Sequence, residues 1–90
     1  MEVKDMKISD LEYMVSNKMR CHVYRKTDVK TTNGYTGAIF GDLEYKNDIF
    51  DDYSGGIRFG DLQRYKFVWN ASINFIEPKN NSLFIVLDLD

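Results

Sequence analysis

Few residues in this chain are equipped for covalent chemistry: it holds one cysteine, Cys21, and one histidine, His22. A thiolate nucleophile needs a base within hydrogen-bonding reach. The two candidates here are neighbours in sequence, and on an extended segment neighbouring side chains leave from opposite faces. Cys21 and His22 therefore cannot pair locally, and their expected roles are a buried thiol and a surface imidazole. A zinc site draws on about four ligands, mostly Cys or His, which is more than the chain supplies. Gly55-Gly56 leads into the strand-like run Ile57-Arg58-Phe59 rather than into a helix, so it lacks the context of a phosphate-binding loop. The expectation is a protein that is not an enzyme, with no catalytic residue, cofactor or metal.

Two sets of charged residues remain. Asp42, Glu44, Asp48, Asp51 and Asp52 fall within eleven positions that contain a single base, Lys46. They do not alternate around a central glycine as a calcium loop does. Such a run is ordinarily a solvated loop. It also suits an acidic face that docks on a basic surface of another protein, such as one built to bind nucleic acid. The second set is basic and aromatic: Arg20, His22, Tyr24, Arg25 and Lys26, joined by Arg58, Arg64 and Lys66. Guanidinium groups beside rings can hold an anionic ligand, and Arg20, Tyr24, Arg58 and Arg64 are the candidate contacts. An ordinary outer sheet face would look the same.

The elements that must position these residues are read from periodicity. Phe67, Trp69, Ala71, Ile73 and Phe75 alternate, as do Leu83, Ile85, Leu87 and Leu89 after a turn at residues 77–81. That pattern predicts a β-hairpin with one buried face. Its other face, with Val68, Ile76, Phe84 and Val86, carries more apolar surface than one short helix covers, which predicts a homo-oligomer. Upstream, Ser9 stands three before Glu12 in capping-box spacing, predicting a helix over 10–16 with Leu11, Met14 and Val15 on one side. Met19, Cys21 and Val23 then alternate in a first strand. Asn33-Gly34 is a strong two-residue hairpin signal between strands at 27–32 and 35–45, and Gly37 and Gly41 suggest a bulge. Residues 46–56 form a long polar loop, followed by a short strand at 57–59 and one helical turn over 62–65.

Three segments share a small residue, Asp and Leu: Ser9-Asp10-Leu11, Gly41-Asp42-Leu43 and Gly60-Asp61-Leu62. Each reads as a helical turn that drops one Leu into the core. The whole is a single α+β domain over residues 1–90, with an antiparallel sheet of four to five strands. A chain of this length buries only roughly 60 to 65% of the surface that its unfolded form exposes, so its stability margin is thin.

The net charge of −2 argues against sequence-independent nucleic-acid binding, because no overall positive field exists. The single cysteine points to a reducing compartment. No run approaches the roughly 18 apolar residues of a membrane span, and the first residues lack the apolar stretch of a signal peptide. A cytoplasmic protein without membrane partners is expected.

Lys7-Ile8-Ser9-Asp10-Leu11 at the front, and Ala71-Ser72-Ile73-Asn74-Phe75-Ile76 with Asn80-Asn81-Ser82-Leu83-Phe84-Ile85-Val86-Leu87 at the back, resemble small accessory proteins of phages and prophages of Gram-positive bacteria. The resemblance covers both ends and not the middle. It implies a host-defence inhibitor, anti-CRISPR-like in kind, that blocks an effector or sequesters its nucleotide signal; it supplies no binding residue. Two functions are expected on these grounds. The first is a non-enzymatic inhibitor that binds a host protein through the acidic loop. The alternative is an oligomer that holds an anionic nucleotide in a bacterial cytoplasm.

Overall fold

In a computed structural model the structure describes residues 6–31, 43–50 and 55–89. The fold is α+β, as the sequence predicts. The described residues form six strands, β1 (Arg20–Arg25), β2 (Val29–Thr31), β3 (Leu43–Tyr45), β4 (Ile57–Arg58), β5 (Ile73–Lys79) and β6 (Ser82–Leu87). One sheet runs in the order β4-β1-β6-β5, and β2 pairs with β3 in a separate antiparallel ribbon. The larger sheet is mixed: β1 lies parallel to β6, Cys21 opposite Leu83 through to Arg25 opposite Leu87. These two strands come from opposite ends of the chain, so no hairpin constrains their direction.

The C-terminal hairpin forms with a shorter turn than expected. Asn80 and Asn81 both have positive φ, 53° and 63°, between the paired Lys79 and Ser82. That is the two-residue turn with a twist that matches the strands, and asparagine tolerates its left-handed backbone. Pro78 continues β5; an edge strand tolerates it because the missing N–H faces no partner.

The first arm of the hairpin departs from the sequence reading. Lys66–Trp69 is a single turn of helix, α1, in which the amides of Val68 and Trp69 both donate to the Tyr65 carbonyl. The turn buries these two consecutive residues, at 0% and 8% exposure, and turns Phe67 outward at 61%. A strand would have sent Val68 and Trp69 to opposite faces.

A second departure is a bulge at Asn74. Ile73 pairs with Leu87, but Phe75 pairs with Val86 and Ile76 with Ile85. One extra residue reverses the facing of everything beyond it. Ile76 thus joins the core side, and Phe75 the other.

At the front, residues Ile8–Leu11 form a 3₁₀ turn rather than a helix over 10–16. The capping pair is Lys7 and Asp10, not Ser9 and Glu12. The Lys7 amide donates to the Asp10 carboxylate at 2.9 Å, and the Asp10 amide to the Lys7 carbonyl at 3.0 Å. Ile8 and Leu11 are buried and Met14 is exposed. A further 3₁₀ segment, Phe59–Arg64, buries Phe59 and Leu62. Of the three Asp-Leu segments, two make such turns. In the third, Leu43 begins a strand instead.

These turns and α1 cover one face of the sheet, where Cys21, Val23, Ile73, Ile85 and Leu87 meet Ile8, Phe59, Leu62, Val68 and Trp69 in one core. Asn33-Gly34, Gly37 and Gly41 lie outside the described residues; the strands that flank them pair with Val29 opposite Tyr45 and Thr31 opposite Leu43.

Candidate functional site

The register of β1 and β4 places Arg20 opposite Arg58 and Cys21 opposite Ile57. Directly opposed residues share a face. Cys21 and Ile57 belong to the core side, so both guanidinium groups stand on the other face. Both residues are exposed, and neither makes an ion pair with a carboxylate among the described residues. Like charges set directly opposite one another are unfavourable, so this corner of the sheet carries positive charge that nothing described neutralises.

Glycine makes the juxtaposition possible. Gly56 has φ +76°, and a β-carbon there would collide with the Cys21 carbonyl oxygen and crowd His22 Nδ1 at 2.9 Å. Only glycine lets the returning chain run this close to β1. The Gly55-Gly56 pair thus delivers Ile57-Arg58 to the sheet and builds no phosphate loop.

Next along β1 on the same face is His22. Its Nδ1 lies 3.0 Å from Asp48 Oδ2. The other Asp48 oxygen accepts the amides of Phe50 at 2.9 Å and Val23 at 3.4 Å. The imidazole packs against Phe84, with ring centroids 4.7 Å apart. Phe84 in turn meets Tyr45 at 4.8 Å, and Tyr45 meets Tyr24 at 5.0 Å. The Tyr45 hydroxyl donates to the Glu77 carboxylate. Burial first, then this bond and the Glu77 charge, hold the phenol proton well above its ordinary range. Lys79 closes the far side, its ammonium 5.7 Å from the Tyr45 ring and 6.0 Å from that of Phe84.

The structure brings together two of the four candidate ligand contacts. Arg20 and Arg58 are paired across β1 and β4. Tyr24 lies on the same face, but only 6% of it is exposed and its ring is enclosed by Tyr45 and Phe84, which makes it part of the packing. Arg64 ends the 3₁₀ segment on the layer that covers the core, away from the arginine pair.

The acidic set does not form one face among the described residues. Glu44 in β3 is held between Lys46 at 3.0 Å and Lys30 at 3.6 Å. The Lys46 bond, reinforced by Lys30, keeps its carboxyl below the usual range. Asp48 points inward with 7% of its side chain exposed, because its two oxygens satisfy two backbone amides and the imidazole. Asp42, Asp51 and Asp52 lie outside the described residues.

Cys21 and His22 do diverge to opposite faces. Cys21 is fully buried, and burial pushes its thiol up to about 12, with the Arg20 charge offsetting part of the effect. It stays protonated at neutral pH. No group of three potential metal ligands occurs among the described residues, and no described helix is long and apolar enough to cross a membrane.

Sequence reading missed Phe84, Tyr45, Glu77 and Lys79 as neighbours of the basic set. Alternation groups Phe84 with Ile76, and Glu77 shares its face only because of the bulge at Asn74; the arrival of Tyr45 from a separate ribbon had no local signal. No protein-family model matches the chain, and neither a curated protein nor a solved structure shows significant similarity to it.

Proposed function

We propose that this protein is a non-enzymatic binding protein that takes up an anionic ligand at the Arg20–Arg58 corner of its sheet. The observation that carries this reading is the direct opposition, on neighbouring strands, of two exposed arginines without a described carboxylate partner. A bound anion would convert their mutual repulsion into two charge-assisted contacts, and guanidinium geometry suits bidentate binding of oxyanions. In the setting that the terminal segments suggest, a small phage or mobile-element protein in a bacterial cytoplasm, such binding would withdraw a signal from a host system.

Docking through the acidic loop is less well supported. Glu44 and Asp48 already have partners within the chain, so reversing their charge would disturb the fold as well as any interface. Association into an oligomer also has less behind it. Of the apolar residues that argued for it, Val68 and Val86 are buried within the chain, at 0% and 1% exposure, and Ile76 packs on the core.

Native mass spectrometry of the protein purified without denaturation from a bacterial host tests the proposal. The expected result is a species with added mass of a few hundred daltons that is absent from an Arg20→Ala, Arg58→Ala variant. Bare protein from both, together with no anion-induced shift of either arginine side chain by NMR, would overturn it.

A further inference from the structure

The arginine pair does not stand alone on its face, and what lies beside it narrows the ligand class. Two residues along β1 from Arg20, and on the same side, is His22. A two-residue step on a strand covers about 6.4 to 6.8 Å. The imidazole cannot swing freely: Asp48 fixes its edge at 3.0 Å and Phe84 supports its ring at 4.7 Å. Its side chain keeps 19% exposure, and Phe84 beneath is half-buried. The site is therefore a cationic corner next to a small rigid ring platform. Lys79 bounds the platform on the far side and Tyr45 covers its inner part.

We infer that the ligand is a phosphate monoester carrying a planar ring, its phosphate on Arg20 and Arg58 and its ring against the exposed part of His22 and Phe84. The inference rests on the anion-binding reading and adds the ring. Charge limits the alternatives. The protein carries a net −2, and the carboxylates of Asp48 and Glu77 lie on the ring side of the corner. A compact dianion fits two arginines, whereas a strand of many phosphates would meet these acids after the first. A bare phosphate would leave the platform unused.

The test is calorimetric titration of the full chain at low ionic strength with three probes: inorganic phosphate, adenosine monophosphate and adenosine. Ring stacking on an aromatic side chain is worth on the order of tenfold or more in affinity. The monophosphate should therefore bind at least about tenfold more tightly than inorganic phosphate, and adenosine should not bind measurably. Arg58→Gln, at an exposed edge position, should weaken the monophosphate and phosphate together. Equal affinity for phosphate and monophosphate would overturn the ring inference and leave the anion site standing. Adenosine binding as tightly as its monophosphate would overturn the role of the arginines. Absence of binding by all three, with the protein shown to be folded by its amide spectrum, would overturn both.

Discussion

The two faces of the four-stranded sheet use different physics to become buried. On one, Cys21, Val23, Ile85 and Leu87 are sealed by Ile8, Phe59, Leu62 and Val68, all eight at 0% exposure, and no hydrogen bond is needed between these side chains. On the other, Tyr24 and Phe84 pack against Tyr45 of the ribbon, His22 packs against Phe84, and the layer is tied by His22–Asp48 and Tyr45–Glu77. The first face gains from area: roughly 1.5 to 3 kcal/mol for each large aliphatic or aromatic side chain buried. The second depends on direction, since a ring network with polar ends is stable only while each polar end keeps its partner. The difference teaches where function can be placed. A sealed aliphatic layer tolerates no vacancy, whereas a polar-tied layer can leave a corner open to a ligand.

Breaking the first face should have the largest effect. Phe59→Ala removes a fully buried ring and should cost about 3 to 5 kcal/mol, a large share of the roughly 5 to 15 kcal/mol that holds a small domain folded. Urea denaturation would show it as a large fall in midpoint. A loss under about 1 kcal/mol would mean that the helical layer is not the seal described.

The second face should break by a different route. Asp48→Ala deprives two amides and the imidazole of one carboxylate and should cost about 2 to 3 kcal/mol. Hydrogen exchange at the Val23 and Phe50 amides should accelerate beyond what the global loss explains. Unchanged protection at those two positions would show that the carboxylate is not their partner.

Alkaline pH separates the faces by their titrating groups. The Cys21 thiol is raised from 9.0 to about 12 in the folded protein. The unfolded chain therefore loses this proton first, and stability falls as pH climbs from 9.0 toward about 12. Below that window the contribution is intact. Tyr45 acts in the same sense, from the ordinary tyrosine value of 10.0 upward. Stability measured across this range should flatten partly in Cys21→Ala and partly in Tyr45→Phe, and most in the double variant. A slope untouched by either change would place its origin elsewhere.

The smallest effect on folding belongs to the open corner. Arg58→Gln should shift stability by no more than about 0.5 kcal/mol, toward a gain because it relieves the repulsion with Arg20. Thermal melts would read this; a clear destabilisation would show that Arg58 has a structural partner.

Much of the fold was legible. The alternation of Leu83, Ile85 and Leu87, of Cys21 and Val23, and the Gly60-Asp61-Leu62 turn all appear as the sequence indicates. What misled was local pattern without tertiary context. Phe67, Trp69 and Ala71 alternate as a strand would, yet the chain turns there to bury Val68 and Trp69 together. Past Asn74, a bulge moves Ile76 and Phe75 to the faces opposite those that simple alternation assigns. The arginine pair was half visible: both residues stood in the basic set, but their opposition depends on a close approach at Gly56 that no spacing announces.

By itself, the sequence determined the class of the protein and its chemical inventory. The period-two apolar runs at Cys21-Val23 and Leu83-Ile85-Leu87 mark strands with one buried face, and a single Cys and a single His confine what covalent chemistry the chain can offer. The tertiary structure alone decided which strands became neighbours. The parallel pairing of β1 with β6 unites residues sixty-two positions apart, His22 with Phe84 among them. It also turned Asp48 from a loop acid into an internal clasp. Periodicity records which side of a strand is buried, because that depends on near neighbours in the chain. It does not record what lies across the gap, because that depends on packing between segments the chain keeps far apart.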